Sequence, residues 1–192
     1  ARVNWQEIPR VGIDKLDTAD IRFALEMGYR IKLLAVAELI DGGLELHVSP
    51  TLVHVGTPLA EVRGANNAIS VVGDAVGRVF FHGLGAGQMP TASAVVADMI
   101  DTAVGRTALT FNTLELWSAR EARVTMCDYA QVPGRFYLRF MVEDHPGVLA
   151  KIAGALGEHN ISIASVLQHE APEDGDANIV PLIFMPHTAK DG

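Results

Sequence analysis

The stretch GRVFFHGLGAGQMPTASAVVADMID, residues 77–101, constrains the fold more than any other part of the chain. An apolar strand leads into three glycines within five positions, and an amphipathic helix follows. This order of strand, glycine loop and helix is typical of dinucleotide-phosphate sites, because free N–H groups at the start of the helix can bind phosphate. The first question about this chain is therefore whether a nucleotide binds at the loop.

The glycine spacing departs from the usual dinucleotide fingerprint. Gly83, Gly85 and Gly87 give G-x-G-x-G, and Gln88 stands where G-x-G-x-x-G has its last glycine. No Lys-Ser or Lys-Thr pair follows the loop, which excludes a P-loop. The residues alone leave two interpretations open. The glycines either form a tight turn, or they let the backbone contact a ligand that another domain mainly holds.

Composition excludes several classes of protein. The 192 residues are 49% hydrophobic, enough for one large domain or for an ordinary domain with a small one. A net charge of -8 without a basic run argues against nucleic-acid binding. No apolar stretch is long enough for a transmembrane helix, and the first residues show no charged region followed by an apolar run, so we predict a soluble, cytoplasmic protein without membrane contact. Because the chain begins at Ala1, we expect it to be part of a longer one.

The first part of the chain alternates a helix with hairpins. Asp17 or Thr18 can cap a helix through TADIRFALEM, Gly28 can end it, and its predicted buried stripe is Ile21, Ala24 and Leu25. RIKLLAVAELI and LELHVSP form a predicted hairpin, and NAISVVGD with GRVFFHG a second one, before a helix that starts around Pro90. Successive strands with few helices between them predict an α+β fold with a mixed, mainly antiparallel sheet.

A second unit follows a weakly patterned connection. RFYLRFMVED, VLAKIAGALGEH, ISIASVLQHE and NIVPLIFMPH predict the order strand, helix, strand, strand. This βαββ order is an incomplete ferredoxin-like unit, which would need a second helix and a fourth strand. We therefore predict a first domain over residues 1–110, a linker over 111–133 and a second domain over 134–192, with both ends of the chain truncated.

Three runs in the first domain carry a family resemblance. DIRFALEMGYRIKLLAVAEL, TPLAEVRGANNAISVVGD and GLGAGQMPTASAVVADMID resemble, in this order, the C-terminal part of the catalytic and dimerisation domain of the homoserine dehydrogenase family. RFYLRFMVEDHPGVLAKIAGALGEHNISIASVLQHE resembles the regulatory ACT domain that follows in the single-function bacterial enzymes. Placement of the ACT unit after the catalytic region favours that type over fusions with aspartate kinase.

The resemblance implies an enzymatic function. Members of the family interconvert L-aspartate 4-semialdehyde and L-homoserine with NADP or NAD, in the biosynthesis of threonine, methionine and isoleucine. They act as homodimers, and L-threonine is a feedback inhibitor. A non-enzymatic alternative remains open from the residues alone, namely an amino-acid-sensing dimer module whose first part is a scaffold.

The resemblance also assigns residues. The last glycine of the family's loop approaches the cofactor and matches Gly87, with Gly85 beside it. The family's catalytic lysine and acidic residues precede the helix that begins near Asp17, so this chain contains no catalytic residue and should be inactive alone. Lys32 matches a position that is not catalytic, and we interpret it as a structural lysine at a strand edge.

The ACT-like unit offers a candidate effector site. Asp144, His145 and Gly147 form the turn before its helix, where free N–H groups could receive an amino-acid carboxylate. Gln168 can both donate and accept hydrogen bonds, which suits a small polar amino acid. Asn160 follows the helix and is either an effector residue or a purely structural one, because Asn tolerates the left-handed conformation. The unit could also serve only for dimerisation.

The histidines and the cysteine do not indicate further chemistry. The seven histidines show neither H-x-x-x-H nor H-E-x-x-H spacing, so we predict no metal site. Cys127 has no neighbouring histidine in the sequence and is more simply a packing residue. A single cysteine also fits a reducing compartment.

Overall fold

The computed structural model describes residues 3–41, 43–114, 125–169 and 179–188. Its helices are α1 (Thr18–Glu26), α2 (Gln88–Ala103), α3 (Arg106–Thr113) and α4 (Val148–Glu158). Its strands are β1 (Tyr29–Ile40), β2 (Gly43–His54), β3 (Asn66–Gly73), β4 (Gly77–Leu84), β5 (Leu138–Glu143), β6 (Ile163–Gln168) and β7 (Ile179–Pro186).

The strands form small sheets, in the orders β1-β2, β3-β4 and β5-β7-β6. The β3–β4, β5–β7 and β6–β7 pairs are antiparallel, which confirms the predicted α+β class. No helix in the described ranges is long and apolar enough to span a membrane.

The chain divides into two compact units, each built from segments that are not consecutive in the sequence. One contains the described residues 24–32 and 50–114, and the other contains the described residues of 3–23, 33–49 and 125–188. Helix α1 and the β1–β2 pair each contribute to both units. Much of the predicted linker, residues 115–124, lies outside the described residues. Its end runs beside β2, where the Leu44 N–H donates to the Thr125 carbonyl (2.9 Å) and the Cys127 N–H donates to the Leu44 carbonyl (3.0 Å).

The second hairpin and its following helix form as the sequence predicts. β3 and β4 pair from Asn66 opposite Leu84 to Gly73 opposite Gly77. Helix α2 begins at Gln88, two residues before the predicted start at Pro90. The earlier start is possible because residues of the first turn have no intrahelical bond to donate, so a proline is tolerated there. The Thr91 N–H makes a helical bond to the Gly87 carbonyl (3.0 Å).

Strand β7 is the centre of the ACT-like unit. It lies between β5 and β6 in the sheet. Along the chain the elements follow in the order β5, α4, β6 and β7, which confirms the predicted βαββ order. Side chains on both of its faces are buried, with exposures between 0% and 2% for Val180, Leu182, Ile183, Phe184 and Met185. Burial of both faces explains why NIVPLIFMPH reads as a continuous apolar run rather than an alternating one.

Helix α1 begins and ends as predicted but buries a different face. The Ala19 N–H donates to Asp17 Oδ1 (2.9 Å), and Gly28 adopts a left-handed φ of 82°. Ala24 is fully buried, whereas Ile21 and Leu25 are 51% and 52% exposed, so the predicted stripe is wrong for these two residues. The buried face instead carries Asp20, which is only 8% exposed and lies one turn before Ala24.

Asp20 is buried because it has cationic and hydroxyl partners on the ACT-like unit. Arg139 Nε lies 2.8 Å from Asp20 Oδ1, and its Nη1 lies 3.3 Å from Asp17 Oδ2. The Tyr137 hydroxyl donates to Asp20 Oδ1 at 2.6 Å. We call these four residues, Asp17, Asp20, Tyr137 and Arg139, the α1–β5 cluster. It joins α1 to the start of β5 within one compact unit.

The cluster shifts the protonation of two of its members. Burial raises the pKa of Tyr137 well above its usual 10.0, and the hydrogen bond to Asp20 adds a smaller shift in the same direction. The backbone hydrogen bond from Ala19 and the positive charge of Arg139 lower the pKa of the Asp17 carboxyl below its usual 3.8. The folded cluster therefore favours the neutral Tyr137 phenol and the ionised Asp17 carboxylate.

This arrangement predicts how alkaline pH affects stability. The folded state keeps Tyr137 protonated to a higher pH than the unfolded chain does, so its contribution is complete below pH 10.0 and is lost as pH rises above that value. The difference in unfolding free energy between the wild type and Tyr137→Phe should therefore shrink above this pH. Urea unfolding of both proteins from neutral to alkaline pH measures it. Parallel pH profiles would contradict the prediction.

Candidate functional site

The glycine loop connects β4 to α2, and its conformation requires glycine at its end. Gly87 has φ of 125° and ψ of 155°, a conformation that residues with a Cβ rarely adopt. A Cβ placed there would lie 3.5 Å from Pro90 Cδ, which is ordinary contact. The backbone angles, rather than lack of space within the chain, therefore explain the glycine at this position.

Gly85 is a glycine for a different reason. A Cβ at this position would clash with the carboxamide of Asn67, a residue of β3 that pairs with Gly83. The Gly85 N–H also donates to the Ala65 carbonyl (3.3 Å). These contacts hold the loop against the start of β3. The backbone angles at Gly87 and the closeness of Asn67 to Gly85 thus each require a glycine. As a result, the backbone just before α2 carries no side chain at these two positions.

Sequence reasoning did not single out Asn67. The residue is part of the run TPLAEVRGANNAISVVGD, but its position opposite the loop follows only from the β3–β4 register. Lys32 fits the structural interpretation, because its Nζ donates to the Val62 carbonyl. Within the described residues, no three His, Cys, Asp or Glu side chains are grouped so that they could hold a metal ion.

A cavity of about 390 Å³ lies in the ACT-like unit. It is formed by the end of β5, the turn into α4, the first residues of α4 and the central part of the sheet. Its lining combines apolar side chains with carboxylate, imidazole and amide groups: Val142, Glu143, Asp144, His145, Pro146, Gly147, Val148, Leu149, Gln168 and Leu182.

The cavity brings together four of the five residues suggested for effector binding. Asp144, His145 and Gly147 lie in its turn, and Gln168 reaches them from the end of β6, with Nε2 3.4 Å from Asp144 Oδ1. Gly147 precedes α4 with φ of 94°, and no side chain caps this helix. The start of α4 therefore offers backbone donors opposite a carboxylate and an amide, a combination that suits a small zwitterion.

The fifth residue, Asn160, lies elsewhere. It follows the other end of α4, has φ of 58°, and is absent from the cavity lining. Its N–H donates to the Gly157 carbonyl (3.0 Å), so it takes part in ending the helix. This placement agrees with the structural alternative for Asn160.

Comparisons with known proteins match both regions. The sequence model of the homoserine dehydrogenase family matches residues 1–100, and that of the ACT domain matches residues 136–191. Homoserine dehydrogenase of Pseudomonas aeruginosa is 42% identical over 185 residues, which are 92% of this chain and 41% of the relative. The enzyme of Neisseria gonorrhoeae is also 42% identical, over 89% of this chain and 40% of the relative.

Solved structures agree. A homoserine dehydrogenase from Thiobacillus denitrificans matches with a TM-score of 0.75 and 36% identity, over 94% of this chain and 40% of that chain. The S. aureus homoserine dehydrogenase at pH 7.0 matches with a TM-score of 0.61 and 25% identity, over 95% of this chain and 42% of that one. The chain thus spans about two fifths of the length of these relatives. It belongs to the homoserine dehydrogenase family and carries the C-terminal region of that family, including an ACT domain.

Proposed function

We propose that this chain is part of an oxidoreductase that interconverts L-aspartate 4-semialdehyde and L-homoserine with NADP or NAD. The observation that carries this proposal is the match of both regions, in family order, at 42% identity over 92% of the chain. The bound nicotinamide would supply or accept the hydride in this reaction. On this proposal the reaction serves threonine, methionine and isoleucine biosynthesis in the cytoplasm.

Within the proposed enzyme, the glycine loop would face the cofactor. Gly87 would present backbone without a side chain to the cofactor. Gly85, which packs against Asn67, would hold the loop close to β3. The acid and base groups of the reaction would come from outside this chain, so the chain alone should not turn over substrate.

The ACT domain would make the enzyme responsive to an amino acid. The cavity holds an amide, a carboxylate and the uncapped start of α4, which can pair with the amino, carboxylate and hydroxyl groups of L-threonine. The edge strands of a small sheet favour pairing with a second copy, so the enzyme would act as a homodimer. These features support L-threonine as effector.

The cofactor assignment is tested by Gly87→Val in the complete enzyme. We expect the KM for NADPH to rise about ten-fold or more, which corresponds to about 1.4 kcal/mol of binding. The matched control is Gly77→Val, because Gly77 also has a positive φ (70°), lies in the β3–β4 turn and has open space around it. Backbone strain alone would affect both variants, whereas only Gly87 should change cofactor use. Equal KM values in the two variants would assign Gly87 to turn geometry.

The effector assignment is tested by Gln168→Ala. Loss of one hydrogen bond to a charged ligand group should raise the L-threonine concentration for half-inhibition about ten-fold, without a change in uninhibited turnover. Activity titration and calorimetry on the complete enzyme measure inhibition and binding separately. Gln6→Ala, an exposed glutamine outside the cavity, is the matched control. If the wild type binds no L-threonine at millimolar concentration, the effector assignment fails.

A further inference from the structure

Helix α1 contacts one face of the ACT sheet, and the cavity opens on the other. Arg139 of β5 and Leu167 of β6 both pair with Ile183 of β7, so these residues share a row across the three strands. The next row consists of Phe140, Leu182 and Gln168. Because successive side chains point to opposite faces of a sheet, the two rows lie on opposite faces.

The row that contains Arg139 faces α1. Arg139 binds Asp20, and His169, which follows the end of β6, stacks on Phe23 with ring centroids 5.5 Å apart. The opposite row supplies Leu182 and Gln168 to the cavity lining. On each outer strand, a group that contacts α1 therefore lies close in sequence to a group that lines the cavity. His169 directly follows Gln168, and Arg139 precedes Val142 by three residues.

Helix α1 also continues into the unit that carries the glycine loop. Its residues up to Phe23 belong to the ACT-containing unit, and from Ala24 onward it belongs to the unit with β3, β4 and α2. A nine-residue helix is stiff, so a change in the position of its first two turns is transmitted to its end. Ala24, in the last turn of the helix, is fully buried.

The α1–β5 cluster holds α1 against the start of β5. Asp20 is 8% exposed, and its carboxylate accepts from Tyr137 and Arg139 at once. Separating a buried carboxylate from its cation is costly, so small displacements of β5 move α1 with it rather than stretching the pair. A larger displacement would break the pair and release the helix.

We propose that the α1–β5 cluster, with the Phe23–His169 stack, couples occupation of the ACT cavity to the catalytic region through α1. A ligand that contacts Gln168 and the turn at Asp144 shifts β5 and β6. These strands carry or precede Arg139 and His169, the groups that contact α1. The ligand acts by binding one position of the sheet better than the other. This inference rests on the proposed effector function of the cavity.

The experiment uses the complete enzyme and L-threonine as the probe. Saturating L-threonine should lower wild-type activity about ten-fold, within the usual range of coupling between sites. In Asp20→Asn, which keeps the size and removes the charge that Arg139 binds, the same L-threonine concentration should lower activity less than about three-fold. Calorimetry should show that the variant still binds L-threonine, and its uninhibited turnover should stay within about two-fold of the wild type.

Two further variants complete the test. Asp101→Asn is the matched control, because Asp101 pairs with Arg106 (3.0 Å) in the other unit and at the surface, and it should be inhibited like the wild type. Phe23→Leu removes the stack with His169 while keeping an apolar residue on α1, and it should also lose inhibition with binding retained. If Asp20→Asn fails to fold, Phe23→Leu decides the question alone.

The outcomes separate this inference from the proposed function. Full inhibition in the variants that fold would overturn the coupling through α1 and leave the effector site intact. A wild type that binds no L-threonine would overturn the proposed effector function and the coupling together. Loss of binding in Asp20→Asn or Phe23→Leu would also contradict the coupling, because the cluster would then shape the cavity itself.

Discussion

The buried carboxylate of Asp20 holds the first turns of α1 against the ACT sheet. A carboxylate removed from water destabilises the fold by several kcal/mol unless it is paired and hydrogen-bonded. Asp20 satisfies this requirement through Arg139 and Tyr137, residues that lie 119 and 117 positions further along the chain. In this structure the helix that contains Asp20 is therefore held against the ACT sheet by residues from the far end of the chain.

Local patterns predicted the elements, because hairpins and helices depend on residues close in sequence. The turn at Gly73–Gly77 and the left-handed Gly28 are examples, and the continuous apolar run of β7 correctly indicated a strand. The face of α1 was not predictable in this way. Its apolar periodicity pointed to Ile21 and Leu25, but the face is chosen by a long-range ion pair that has no local signal.

The candidate sites show the same division. The turn at Asp144 and the amide of Gln168 were identified from their chemistry, and the fold places them in one cavity, 3.4 Å apart. Asn160 was ambiguous because the same residue type suits a ligand and a helix end, and only its position after α4 separates the two. Asn67 was not identified from the sequence, because its contact with Gly85 depends on strand register rather than on any motif.

The sharing of α1 between the two compact units has a consequence for modularity. An ACT sheet that could be moved between enzymes as a cassette would need to bury both faces by itself. Here the row that contains Arg139 pairs with a carboxylate from a distant segment, so a transplanted sheet would expose a cation, a phenol and an imidazole that had lost their partners. Recombination that preserves this fold must exchange the helix and the sheet together, even though almost the whole first region lies between them in the gene.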